Sequence, residues 1–191
     1  MPTIPSVAHN TYDAFKEATI GRQYDLDGYP TSQPYQCWDY VDLLYQQNDV
    51  AQYLYTAANL GGSGDGVKTC WTYQPARERN ASGKFYAVYN ISEIKKGDII
   101  VFNEHSGWYA DSGHIGFADE DYQGGDYIML LSQNFYGYHK VVLESAYLGT
   151  AFLGAFRYIP WETPTPPTPT TKRKKFPWAV AWENWDGFKK F

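Results

Sequence analysis

The sequence predicts an α+β fold, with helices in the first part of the chain and an antiparallel sheet after them. Three observations carry that expectation. Apolar residues recur at helical spacing as far as about residue 60. From about residue 98 the period changes to two. The strand-like runs are then separated by Gly, Asp and Asn clusters, which punctuate antiparallel connections rather than crossover helices. The composition permits a packed core: 43% of the residues are hydrophobic and 19% charged, which excludes wholesale disorder.

Taken in order, residues 11–18 read as a short helix. Residues 36–48 place Val41, Leu44 and Tyr45 on one stripe together with Cys37. Residues 50–60 read as a further helix stopped by Gly61-Gly62. Residues 98–102, 114–118, 127–135, 141–143 and 152–158 read as strands. A Pro/Thr run at residues 162–171 can sustain neither helix nor a full strand ladder, so it reads as an extended linker. It separates a domain at 1–161 from a tail at 172–191. In a chain of 191 residues this means one domain with an appendage.

Charge and length exclude several function classes. The net charge is −5, against a general nucleic-acid binder. The apolar runs at 99–102 and 127–131 fall well short of the ~20 residues of a transmembrane helix. Residues 1–20 hold no basic segment followed by an apolar stretch, so no signal peptide is expected. The two cysteines, Cys37 and Cys70, cannot frame a disulfide-stapled domain or a structural zinc site. Tyr and Trp are numerous, at 18 and 7, which suits either a sugar or peptide groove or a Tyr-rich core. In the tail, six Lys and Arg accompany Trp178, Trp182 and Trp185 at i, i+4 and i+7. That stripe suits a wall polymer, a membrane surface, the domain itself or another copy of the chain.

Cys37 follows a Gly/Pro-rich loop and opens a helix, where the positive end of the helix dipole favours a thiolate. Taken alone, a lone cysteine is most often a small buried apolar residue. Of the four histidines, His114 has the pattern of a base. It lies in a strand whose same-face neighbours are Gly116 and Ala118, leaving room for another group to approach the ring. His105 reads as a solvated turn residue, and His9 and His139 lie near loops. A third polar group is needed to orient an imidazole base. On the next strand Ile128, Leu130, Ser132 and Asn134 share one face, and either Ser132 or Asn134 is placed to reach the ring.

Four segments together resemble the CHAP domain of peptidoglycan hydrolases, especially phage endolysins. They are Gln36-Cys37-Trp38-Asp39, residues 96–102 from Lys96-Gly97-Asp98 onward, Ser112-Gly113-His114-Ile115-Gly116-Phe117, and Leu131-Ser132-Gln133-Asn134-Phe135. The resemblance implies a papain-like α+β fold. It implies hydrolysis of amide bonds in the peptidoglycan of Gram-positive bacteria, as an endopeptidase or an N-acetylmuramoyl-L-alanine amidase. It makes Cys37 the nucleophile, His114 the general base and Asn134 the third member, with Gln36 beside the nucleophile as an oxyanion donor. Many phage CHAP domains carry Glu where this chain has Ser132, so Ser132 enters as a weak substitute. The other reading is a non-catalytic wall-binding module on the same scaffold. The resemblance also implies a protein that stays in the host cytoplasm until lysis and then meets the wall.

Asp25-Leu26-Asp27-Gly28-Tyr29 sets two carboxylates before a glycine, the kind of oxygen cluster a hard cation takes. It is not an EF-hand, because the twelfth position is Gln36. Some staphylococcal phage CHAP domains bind Ca²⁺ through a similar segment, which here implies Asp25, Asp27, the Tyr29 carbonyl and Asp39. A solvated Asp-Gly turn is the plainer alternative. Cys70 reads as structural, and Asp119-Glu120-Asp121 as a solvated turn.

Overall fold

β-branched and aromatic residues recur between residues 85 and 158, and there they form a single sheet. The computed structural model describes residues 6–26, 36–48, 53–64, 66–103, 111–135 and 138–162. Its strands are β1 (Phe85–Val88), β2 (Ile99–Phe102), β3 (His114–Ala118), β4 (Tyr127–Phe135), β5 (Tyr138–Tyr147) and β6 (Phe152–Tyr158). They lie in the order β1-β6-β2-β3-β4-β5, and every neighbouring pair is antiparallel. The helices are α1 (Tyr12–Thr19), α2 (Cys37–Asn48), α3 (Thr69–Thr72) and α4 (Gln74–Asn80). The α+β architecture expected from the sequence is therefore present. The Pro/Thr linker beyond Glu162, the tail, His105, Asp27 and Tyr29 lie outside the described residues.

Strand alternation splits the core in two. One cluster packs Ile99, Val101, Ile115, Phe117 and Leu131 against Phe15 of α1 and Tyr40, Leu44 and Tyr45 of α2. The other gathers Ile100, Phe102, Ala118, Ile128 and Leu130 on the opposite side of the sheet. Phe15 is fully buried among rings, 5.6 Å from Tyr40 and 5.2 Å from Phe117. α1 starts where Thr11 accepts the Ala14 N–H at 3.2 Å, a side-chain N-cap. No described helix is long and apolar enough to cross a membrane.

Two local expectations are corrected. Residues 53–57 are not helical, and only Ala58–Leu60 forms a 3-10 turn, ended by Gly61 at φ +69°. Side chains from elsewhere take the backbone groups that a helix would use internally. Asn80 bonds both the N–H and the C=O of Tyr55 at 2.8 Å, and Asp42 accepts the Leu54 N–H at 2.6 Å. The acidic turn is not simply solvated either. Asp119 takes Lys16 at 2.7 Å and the Tyr12 hydroxyl at 2.8 Å, so it fastens α1 to the end of β3.

Asp98 and Arg157 form a buried pair joining the turn before β2 to β6. The Arg157 Nε donates to Asp98 Oδ1 at 2.6 Å and Nη2 to Oδ2 at 2.7 Å. The carboxylate holds the guanidinium more firmly protonated than usual, and Arg157 also reaches the Tyr86 hydroxyl and the Glu93 carbonyl. Removing one member of a buried pair strands the other charge. Asp98→Ala is expected to cost about 3–5 kcal/mol of stability in urea unfolding; a loss under about 1 kcal/mol contradicts this assignment.

Candidate functional site

The site is built where the start of α2 meets the sheet. Asp39, the third residue of α2, is buried, and its Oδ2 accepts the Gln36 N–H at 2.8 Å. This is the reciprocal half of a capping box: an acid at N3 satisfying an orphan donor at the helix entrance. Its Oδ1 accepts the Leu26 N–H at 2.9 Å and ties the preceding segment to the same place. Gln133, fully buried on β4, completes the anchor. Its amide accepts the Tyr24 N–H at 2.8 Å and donates to the Tyr24 carbonyl at 2.7 Å and the Gln36 carbonyl at 3.0 Å. Cys37, the first residue of α2, follows this anchored residue directly. For Gln36, the oxyanion candidate, these backbone contacts are what the structure places.

Cys37 is half-buried as a residue, yet its surroundings desolvate the thiol and push it up to about 12. The nearby backbone N–H groups of Ile115 and Trp38 pull the other way, while the Asp39 charge adds to the rise. Burial thus outweighs the helix-dipole effect on which a resting thiolate was expected, and the sulfur keeps its proton. The Ile115 contact also locates it, beside the β3 backbone at the residue after His114.

That contact exists because β3 and β4 part. β2 pairs with β3 along its whole length, from Ile99↔Phe117 to Phe102↔His114. β3 pairs with β4 only at Phe117↔Leu131 and Ala118↔Leu130. Toward His114 the ladder is open on the β4 side. Side chains close the gap: the buried His114 Nε2 lies 3.0 Å from Ser132 Oγ. Gly116 permits the approach, since a Cβ there would stand 2.7 Å from Ser132 Cβ and 2.9 Å from Leu130 Cγ. Phe135 meets the imidazole edge-on at 5.7 Å.

The shared face expected for Ser132 and Asn134 fails at Asn134. This residue has φ +64°, the one left-handed non-glycine among the described residues, and the β4–β5 register slips between Gln133 and Phe135. Alternation is broken there, which is why Phe135 turns its ring to His114. Asn134 Oδ1 is buried without a hydrogen-bond partner among the described residues.

One residue of the constellation was not singled out by sequence reading. Ser132 Oγ donates to Glu144 Oε1 at 2.6 Å. Glu144 is on β5, opposite Leu130, so it sits diagonally across the ladder from Ser132 on the same face. Burial pushes its carboxyl up to about 8, and the Ser132 hydroxyl pulls it back. The signal available was an acidic residue in an alternating strand, readable only once the register with β4 is known. Gln133 announced itself more openly, as an amide within an apolar strand.

Of the cation candidates, Asp25 and Asp39 are described, and Asp27 and Tyr29 are not. The Leu26–Asp39 bond brings the 25–26 backbone against the Asp39 carboxylate. Among the described residues no three His, Cys, Asp or Glu side chains form a metal-ligating group.

Comparison with known proteins places this architecture. No curated protein matches the chain. Among solved structures, the crystal structure of the wild-type endolysin LysIME-EF1 is similar in fold, with a TM-score of 0.54. It is 20% identical, over 83% of this chain and 67% of that one. The CHAP domain family matches residues 27–134, more than half of the chain and the stretch that holds Cys37, His114, Ser132 and Asn134. The chain belongs to the CHAP-domain family.

Proposed function

We propose that this protein is a cell-wall lytic enzyme of endolysin type, hydrolysing amide bonds of Gram-positive peptidoglycan by cysteine acyl transfer. Membership of the CHAP family supports a peptidoglycan hydrolase. The observation that carries the mechanism is that His114 Nε2 lies 3.0 Å from Ser132 Oγ while the Cys37 sulfur feels the backbone N–H of the next residue, Ile115.

In this reading His114 removes the thiol proton as the sulfur attacks the amide carbonyl, because a thiol held near 12 supplies little thiolate at neutral pH. The oxyanion develops among backbone N–H groups at the start of α2 and beside Gln36. The C–N bond breaks as the imidazolium gives its proton to the leaving amine. Water, deprotonated by His114, then attacks the thioester and releases the carboxylate and the free thiol. Asn134, the third member by family resemblance, holds an open acceptor two residues beyond Ser132. The enzyme gathers in the host cytoplasm and meets the wall at lysis, and the basic Trp-rich tail contacts wall polymer, membrane surface or another copy.

The non-catalytic reading drew on one feature, the absence of Glu at position 132. The Ser132–Glu144 bond sets a carboxyl group one hydroxyl away, which favours the catalytic reading. Cys37→Ala and His114→Ala are each expected to lower amine release from purified walls by at least about a thousandfold with an unchanged thermal midpoint; near-wild-type release by Cys37→Ala overturns the assignment. Mass spectrometry of the released muropeptides assigns the bond. A free lactyl carboxylate on muramic acid identifies an amidase, and a new amine within the peptide identifies an endopeptidase.

The Ca²⁺ reading is a separate proposal. Asp25, Asp27, the Tyr29 carbonyl and Asp39 would hold the ion through hard oxygen donors. It would neutralise the clustered carboxylates and fix the 25–29 segment to the start of α2, with no part in bond cleavage. Calorimetric titration of Ca²⁺ into metal-free protein is expected to show one binding event, abolished by Asp25→Ala, together with a raised thermal midpoint. Absence of both heat and shift contradicts it.

A further inference from the structure

The mechanism above uses His114 but leaves its outer nitrogen to a neutral serine. A hydroxyl carries one proton, and that fact orders the chain of contacts. Ser132 Oγ donates to Glu144 Oε1 at 2.6 Å. Its proton is then spent, and toward His114 Nε2, 3.0 Å away, it can only accept. While Glu144 is ionised, the ring therefore carries its proton on Nε2 and leaves Nδ1 as the basic nitrogen.

We propose that Glu144 is the positioning carboxylate of this site, acting on His114 through the Ser132 hydroxyl. The proposal rests on the Cys37–His114 reading and goes beyond it, since it assigns the orienting charge to a neighbouring strand. The relay is directional. With Glu144 ionised, protons point from His114 to Ser132 to Glu144, and the fixed negative charge also favours the imidazolium formed during attack. With Glu144 protonated, its O–H can donate to Ser132, Ser132 to Nε2, and the ring proton moves to Nδ1. The ring then cannot take the thiol proton. Ionisation of Glu144 thus selects the competent tautomer.

The surroundings suit that role. Glu144 lies along an open groove with Phe135, Tyr138, Lys140 and Val142, so the carboxyl can exchange protons with solvent. From β4 it faces Leu130 and Ser132, and beyond the hydroxyl lies His114 of β3. Lys140 lines the same groove, separated from Glu144 along β5 by Val142. Burial lifts the carboxyl to about 8, and among the described residues no cation opposes that rise, so the switch falls in a range where the enzyme can be assayed.

The test measures kcat and KM for amine release from purified walls across about pH 6 to about pH 9.5. It uses the full chain, Glu144→Gln, Ser132→Ala, their double variant, and Ser132→Glu combined with Glu144→Gln. The expected result is a kcat loss of about 10–100-fold in Glu144→Gln with KM nearly unchanged. The rise of kcat through about pH 8 expected in the unaltered chain disappears with it. Adding Ser132→Ala to Glu144→Gln costs nothing more, because one path is already cut. Ser132→Glu in the Glu144→Gln background restores kcat by putting the carboxylate directly on the ring, which a merely structural role for Glu144 does not predict. Wild-type kcat and pH profile in Glu144→Gln, with Cys37→Ala inactive, overturn the proposal and leave the hydrolase standing. A full chain that releases no amine at any pH overturns both.

Discussion

The His114–Ser132 contact depends on a place where the sheet stops behaving as one. Had β3 and β4 continued their ladder past Phe117 and Leu131, the Ile115 N–H would be spent on a strand partner. It acts on the Cys37 sulfur instead. The same parting lets β4 tilt Ser132 toward the imidazole, an approach that only a glycine at 116 leaves room for. One irregularity in backbone pairing therefore brings together a cysteine from a helix, a histidine from one strand and a hydroxyl from the next.

What anchors the start of α2 beside the parting is polar and buried. Asp39 closes the start of α2 onto its own entrance residue, and Gln133 grips Tyr24 and Gln36 from the sheet. These bonds are satisfied on both sides, the condition under which buried polar groups fix a geometry rather than weaken a core. They also explain the buried thiol. A sulfur set against the strand is desolvated and remains protonated. Such a site has little thiolate at rest, and in the proposed mechanism its chemistry depends on the orientation of one ring.

Much of this was legible in the residues. Period-two alternation located β3, β4 and β6 to the residue, because strands buried on both faces leave little freedom at their ends. Cys37 and His114 stood out by position, one opening a helix and the other flanked by small residues. Less legible was whatever depends on register. Glu144 lies 12 positions from Ser132 in sequence, and the diagonal that joins them exists only after β4 and β5 have paired. The shared face of Ser132 and Asn134 failed for a related reason: strict alternation assumes an unbroken strand, and a left-handed residue breaks it. The segment before Gly61 failed as a helix because Asp42 and Asn80 capture its backbone, a tertiary effect with no local trace.

The proton on His114 decides the matter. Nitrogen-15 NMR of histidine-labelled full-length protein, with His114 assigned by comparison with His114→Gln, reads which ring nitrogen is protonated. At about pH 9, where Glu144 is ionised, the neutral ring should carry its proton on Nε2, and Ser132→Ala should abolish that preference. A ring protonated on Nδ1 under those conditions, indifferent to Ser132, contradicts the account.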